Sequence, residues 1–156
     1  MSSKETKYNT ELRAVRFSYD NDELLRIALT IRKLVFVDEQ KIDPDLEFDG
    51  YDKDAQHFLL YFKSEPVATA RWRETDAGIK LERFAVMKQF RNHGYGSKLM
   101  AFIMQQNLTG KHLYFHSQLS AVGFYEALGF EKDGELFYEA GIPHYAMKKA
   151  TKPNLQ

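Results

Sequence analysis

Residues 90–100 read FRNHGYGSKLM: an arginine, two glycines one residue apart, then an apolar run that carries a lysine. Glycine serves where the backbone turns tightly or comes close to a ligand, and the free N–H groups at a helix start attract anions. The stretch therefore predicts a phosphate-type loop between a strand and a helix. Several unrelated folds read phosphate with glycines, so the flanking sequence has to decide which kind this is.

Upstream, GIKLERFAVMK (78–88) alternates as a strand, and downstream GSKLMAFIMQQNLTG (96–110) reads as a helix with Leu99, Phe102 and Ile103 inward and Gly110 as its stop. Further out, ELRAVRF (11–17) suits a first strand. DNDELLRIALTIRKLVFVDEQ (20–40) predicts one long amphipathic helix, with Asp20 to Asp22 as capping candidates and Leu24, Ile27, Ala28, Ile31, Leu34 and Val35 recurring at helical spacing. The acidic stretch that follows holds Pro44 and Gly50 and reads as a loop or short broken helix. Residues 55–74 form a hairpin turning at Ser64–Pro66, HLYFHS (112–117) a short strand, SAVGFYEALGF (120–130) a two-turn helix ending at Gly129, and residues 136–149 a hairpin turning at Gly141–Pro143. The order β-α-β-β-β-α-β-α-β-β is an α/β mixture in which antiparallel hairpins flank one β-α-β crossover.

A chain of 156 residues with 12 Phe and 9 Tyr fits a single packed domain, with its core over about 11–149 and tails at 1–8 and 151–156. Lys plus Arg and Asp plus Glu balance at 22 each, which argues against a surface built for nucleic acid or anionic membrane. The absence of cysteine excludes disulfides, thiolate metal sites and a covalent cysteine nucleophile. The N-terminus is polar and no apolar run has the length of a membrane span, so the cytoplasm is the expected location. His57, His93 and His112 have no metal-ligand spacing and read as surface or packing residues, and no metal is expected.

Neither common nucleotide fingerprint fits the loop. The Walker pattern needs Gly-Lys-Ser/Thr where Gly96 is followed by Ser97 and Lys98, and the Rossmann pattern needs a third glycine where Leu99 stands. What remains is Arg91-x-x-Gly94-x-Gly96, with the amides of Asn92, His93, Gly94, Tyr95, Gly96 and Ser97 available to cradle a pyrophosphate while Arg91 and the helix dipole add positive charge.

With these residues in view, LERFAVMKQFRNHGYGSKLM resembles the strand, Arg/Gln-x-x-Gly-x-Gly/Ala loop and helix of the GCN5-related N-acetyltransferases (GNAT), and AVGFYEALGF resembles the late Phe-Tyr-x-x-Leu-Gly-Phe helix of that superfamily. The two motifs stand in the right order, about thirty residues apart, and with the element order the likeness runs over about 11–149. VFVDEQ and AGIPHYAM further resemble a small bacterial subgroup of unassigned substrate, the YjcF/ElaA-like proteins. The resemblance implies a mixed, mostly antiparallel central sheet of six to seven strands, splayed at the cofactor site and flanked by about four helices. It also implies acetyl-coenzyme A (acetyl-CoA) as co-substrate and direct transfer of the acetyl group to the amine of a small acceptor, amino-acid-like or polyamine-like, without a covalent enzyme intermediate. A homodimer is expected by the same analogy. The competing expectations are a catalytically weak CoA-binding sensor or interaction module, and a protein N-acetyltransferase.

Carried over by motif position, the backbone of Phe84, Ala85 and Val86 would bind the pantetheine arm and the thioester oxygen, and Tyr125 would be the general acid at the departing sulfur. Glu82 is the candidate base, and strand alternation puts it on the face of Phe84. His116 stands where relatives carry an Asn that binds the cofactor, and a His there could also shuttle a proton. Glu39, after the first helix, would face the acceptor, as would His144 in the last hairpin; Arg71, on a strand with Arg73, could bind an acceptor carboxylate. Each also has a plainer reading: a packed tyrosine, a solvated strand carboxylate, a structural histidine, a surface acidic loop.

Overall fold

The computed structural model describes residues 11–150. The predicted tails, 1–8 and 151–156, lie outside the described residues. The fold is mixed α/β with a mostly antiparallel sheet of eight strands and four α-helices among those residues. By its contacts the chain falls into two compact units, the first made of residues up to Arg73 with Arg83–Asn107, the second of Glu74–Glu82 with the residues from Leu108 onward.

In the first unit, β1 (Leu12–Ser18) pairs antiparallel with β2 (Gln56–Phe62), which pairs antiparallel with β3 (Glu65–Thr75). The β2–β3 turn is Lys63–Ser64, both residues left-handed at φ 49° and 68°, so it lies one residue earlier than the proline suggested. A two-residue turn with both residues at positive φ matches the twist of the strands, and Pro66 then sits inside β3 beside a register shift at Leu60/Tyr61. Helix α1 (Asp22–Arg32) starts where Asn21 accepts a hydrogen bond from the Leu24 amide, and it buries Leu25, Ala28 and Ile31 with Phe17, Leu59, Tyr61 and Ala85.

The expected long helix does not run on as an α-helix. From Lys33 to Glu39 it is a π-helix, closed by the Gln40 amide on the Val35 carbonyl five residues back. The wider turn changes which side chains face inward: Leu34 is 41% exposed while Val35 and Phe36 are buried. Beyond it, Asp43 caps the short α2 (Pro44–Glu47) through the Asp45 amide, and Tyr51–Asp54 forms a 3-10 turn. The unit closes with the end of β4 (Gly78–Val86), the glycine loop, and α3 (Tyr95–Met104), whose Leu99, Met100 and Ile103 are buried.

In the second unit, β4 pairs parallel with β5 (Leu113–Gln118), and β5 pairs antiparallel with β8 (Ile142–Lys149). Two short strands also pair with β8: β6 (Phe130–Lys132) and β7 (Phe137–Glu139). The three residues of β6 carry too little pattern to be read as a strand from sequence. The β7–β8 turn is Ala140–Gly141, both at positive φ, again one residue earlier than expected. Helix α4 (Val122–Ala127) ends at Gly129, φ 95°, as predicted. At Gly78 a side chain is excluded outright, because an added Cβ would lie 2.3 Å from the His112 carbonyl oxygen. No helix among the described residues is long and apolar enough to cross a membrane.

Candidate active site

The loop that opened the sequence takes the form its glycines predicted. Asn92 is left-handed at φ 65° and Gly94 at φ 81°, and Gly94 caps α3. The first hydrogen bond of that helix runs from the Lys98 amide to the Gly94 carbonyl at 3.1 Å, so the amides of Tyr95, Gly96 and Ser97 lie ahead of the intrahelical ladder. Alternating left-handed residues before a helix N-terminus form a concavity lined by N–H groups, the geometry that binds an anion. His93 stiffens it: its Nδ1 donates to the Arg91 carbonyl at 2.7 Å, and its ring stacks on Tyr95 at 5.6 Å.

Arg91 does not reach out alone. Its two Nη atoms hold the Glu39 carboxylate at 2.6 and 2.7 Å, and its Nε donates to the Val86 carbonyl at 3.0 Å. The Arg91 hydrogen bonds hold the Glu39 carboxyl below its ordinary range, and the same pairing holds the guanidinium charged. Two residues that the sequence assigned to different substrates thus share one ion pair, and one of the three backbone segments expected to face the cofactor has its carbonyl in use. Ala85, as expected, contributes its side chain to the core. Met87 donates to the Val67 carbonyl at 3.0 Å, which fastens the end of β4 to β3.

Arg83 is an outlier that the sequence did not signal. It sits inside β4 at φ 55°, a left-handed conformation that costs a non-glycine residue about 1 kcal/mol or more. Its guanidinium offsets this by bonding the Leu46 and Glu47 carbonyls and pairing with Glu47 and Asp49, both at 3.0 Å. Period-two alternation therefore does not carry across Arg83, and Glu82 and Phe84 do not share a face by strand alternation. Glu82 itself lies 3.3 Å from Lys80, two residues back on the same strand.

Arg71 is put to a use other than the one expected. It is fully buried, with Nη1 bonded to Asp49 and Asp52 at 3.0 and 2.7 Å and Nη2 to Asp49 at 2.6 Å. Arg32, equally buried, bonds Glu47 at 2.9 Å and Asp52 at 2.7 Å. Three guanidiniums and three carboxylates thus form a neutral network that ties residues 47–52 to α1, β3 and β4. Burial pushes Glu47 up despite its arginines; burial also opposes ionisation at Asp49, but the Arg71 hydrogen bonds outweigh it and bring that group down to about 2. An arginine whose donors are held this way is not an open ligand for an acceptor carboxylate, so that assignment of Arg71 is corrected to a structural one. Arg73 lies over the Tyr51 ring at 4.1 Å.

In the second unit, Tyr125 of α4 is buried against Phe115 at 4.6 Å and Phe130 at 6.5 Å between ring centroids. Burial pushes its hydroxyl well above the ordinary tyrosine range, so it stays protonated and able to donate. The parallel ladder of β4 with β5 ends at Leu81↔Phe115, while β5 continues to Gln118 with β8 as its ladder partner. His116 is the first residue beyond that end. Its Nδ1 lies 2.9 Å from Oε1 of Glu139, and Oε2 of the same carboxylate lies 3.9 Å from Nε2 of His144. Two histidines named from sequence are thus brought to one carboxylate that was not. The signal was present in the hairpin: with Ala140–Gly141 as the turn, Phe137 falls opposite His144 and Glu139 two residues along the strand. Among the described residues no group of three or more His, Asp or Glu is placed to hold a metal ion.

The acetyltransferase (GNAT) domain family matches residues 35–151. Two proteins of Bacillus subtilis are similar over nearly their whole length: the uncharacterized protein YyaT, 38% identical across 84% of this chain and 92% of its own, and the uncharacterized N-acetyltransferase YjcF, 36% identical across 83% and 94%. Among solved structures, Escherichia coli ElaA superposes with a TM-score of 0.78 at 28% identity, covering 88% of this chain and 99% of its own. With the domain match spanning most of the chain and these relatives on either side of it, the chain belongs to the GNAT family of N-acetyltransferases, in the group that holds YjcF and ElaA.

Proposed function

We propose that this acetyltransferase uses acetyl-CoA to acetylate a small amine directly, without an acyl-enzyme intermediate. The observation that carries the reading is the loop at 91–97, where two left-handed residues precede the start of α3 and the amides of Tyr95, Gly96 and Ser97 lie outside the intrahelical ladder. The residues fit a pyrophosphate: amides and a helix start supply the donors, and Arg91 supplies charge. No cysteine is present to accept an acyl group, which agrees with direct attack of the amine on the thioester carbonyl.

The steps follow from the chemistry. A neutral amine attacks the carbonyl carbon, the C–N bond forms, the C–S bond breaks, and the sulfur leaves with the electron pair. Tyr125, kept protonated by burial, is suited to donating to that sulfur. Backbone amides of Phe84 to Val86 are the proposed ligands of the pantetheine arm, with the Val86 carbonyl already taken by Arg91. Glu82, the sequence's candidate base, lies 3.3 Å from Lys80, so an acceptor amine would share its carboxylate with that ammonium.

Arg71 bears on the acceptor. A zwitterionic acceptor would need a cation for its carboxylate, and the fully buried Arg71 is bound to Asp49 and Asp52. A simple or polyamine-like cation is therefore favoured over an amino acid. The test is thiol release from acetyl-CoA against a panel of amines, polyamines, amino acids and lysine peptides. Turnover is expected with amines and polyamines and little with amino acids; release with peptides alone would replace this reading with protein acetylation.

A further inference from the structure

We propose that His116, oriented by Glu139, is the group that takes the proton from the acceptor amine. This rests on the acetyltransferase reading above and assigns the base that the reading lacks.

The geometry fixes the tautomer. Glu139 is held below its ordinary range, first by the hydrogen bond from His116, so the carboxylate is ionised and can only accept. The His116 Nδ1, 2.9 Å away, is therefore the protonated nitrogen, and the lone pair of the neutral ring is on Nε2. The ring plane is held as well: Phe137 packs edge-on at 4.9 Å, and Tyr114 on the same strand lies at 6.3 Å. A carboxylate behind one nitrogen both orients the ring and stabilises the imidazolium that forms when the other nitrogen accepts a proton. His116 remains 26% exposed at its side chain, so the accepting nitrogen belongs to a ring that solvent reaches, unlike the enclosed Tyr125. It also occupies the first position of β5 past the last β4 pair.

The second histidine plays a different part. His144 donates its Nδ1 proton to the Ile142 carbonyl at 2.7 Å and stacks on Phe137, and its Nε2 lies 3.9 Å from the other oxygen of Glu139, beyond hydrogen-bond distance. Its part is to pack Phe137, while the hydrogen bond that orients His116 comes from Glu139 alone. The charged and titratable groups around the pair are Lys80 of β4, which acts on Glu139 and is itself beside Glu82, His144 of β8, and Tyr114 of β5.

In the proposed step the acceptor arrives as an ammonium and gives one proton to Nε2 of His116. The neutral amine then attacks, the C–S bond breaks, the remaining ammonium proton of the adduct passes to the leaving sulfur by way of the Tyr125 hydroxyl, and His116 returns its proton to water. The products are the amide, the free thiol of coenzyme A and one proton, so the step balances.

Two measurements on the full chain test this. Nitrogen-15 NMR of the histidine rings reads the tautomer without any acceptor: His116 is expected as the Nδ1-protonated form, shifting to a mixture in Glu139→Gln; an Nε2-protonated His116 overturns the proposal. In the thiol-release assay with the best amine of the panel, His116→Gln is expected to lower kcat by about 100-fold or more while KM for acetyl-CoA stays within about twofold. Glu139→Gln is expected to lower kcat by about tenfold, because the ring loses the carboxylate that orients it. A His116→Gln variant that keeps kcat and raises KM for acetyl-CoA makes His116 a cofactor ligand and overturns the base role. Wild-type protein that releases no thiol with any amine removes the acetyltransferase reading itself, and the base with it; wild-type turnover that neither variant alters removes the base alone.

Discussion

Arg91 holds Glu39 with two hydrogen bonds of 2.6 and 2.7 Å, joining the end of the π-helix to the first residue of the glycine loop. Both side chains are about one-third exposed, so the pair itself adds little to stability, about 0.2 to 1 kcal/mol. Its weight lies in what Arg91 does next. If Arg91 serves a pyrophosphate, Glu39 competes for the same donors. Glu39→Gln is then expected to tighten acetyl-CoA about threefold, and Arg91→Ala to weaken it about tenfold, which corresponds to about 1.4 kcal/mol, both read by calorimetry.

Gly94 offers a test of backbone conformation free of side-chain collision. An added Cβ would meet no atom within 4 Å, yet φ is 81°. Gly94→Ala should cost about 1 kcal/mol of stability from the left-handed conformation alone. Affinity for acetyl-CoA should fall more steeply than that if the loop amides bind the pyrophosphate, and a variant with lowered melting temperature and unchanged affinity would remove the loop from the cofactor site.

Tyr125→Phe keeps the ring among Phe115, Phe124 and Phe130 and removes the hydroxyl. Stability should fall by about 1 kcal/mol, and kcat by at least about tenfold. Because burial keeps the hydroxyl protonated, the loss should be the same factor from about pH 6 to pH 9, with no limb of the wild-type profile disappearing.

The buried network makes an asymmetric prediction. Arg32→Met leaves Glu47 and Asp52 enclosed with one cation fewer and should cost about 3 to 5 kcal/mol in denaturant unfolding. Glu47→Gln should cost far less, about 1 kcal/mol, since burial already pushes that carboxyl toward its neutral form.

Acid stability should depend on Asp49. Its pKa in the fold is brought down to about 2 from an ordinary 3.8, so the native state favours the ionised form. That contribution is complete above pH of about 4 to 5 and fades as pH falls toward 2; after discounting for partial exposure it is about 1 to 2 kcal/mol. Asp49→Asn should lower stability at neutral pH and flatten the acid limb of an unfolding titration between about pH 5 and pH 2, with little further difference from the parent chain at the acid end.

Residues 90–100 announced their loop because glycine spacing is a backbone signal, and Asn92 and Gly94 needed no partner to be read. The two-turn helix before Gly129 was legible for the same reason. The π-helix was not: Leu34, expected inward, is exposed and Phe36 is buried through one widened turn, which no periodicity of apolar residues announces. Arg71 looked like a free cation on a strand because its partners, Asp49 and Asp52, come from an acidic loop that local pattern could not place. Glu139 was passed over because its importance comes from register: a turn set one residue too late hid its place beside His144 and its bond to His116.

Arg83 has a mechanical consequence. A residue of β4 whose backbone is bent to positive φ, and whose side chain grips the carbonyls of Leu46 and Glu47, acts as a rivet between the strand and the acidic loop. Displacing residues 46–49 must pull on the main chain of β4 next to Phe84, so the loop cannot swing freely as a flap, and evolution of its sequence is constrained by strain in a strand nearly forty residues away.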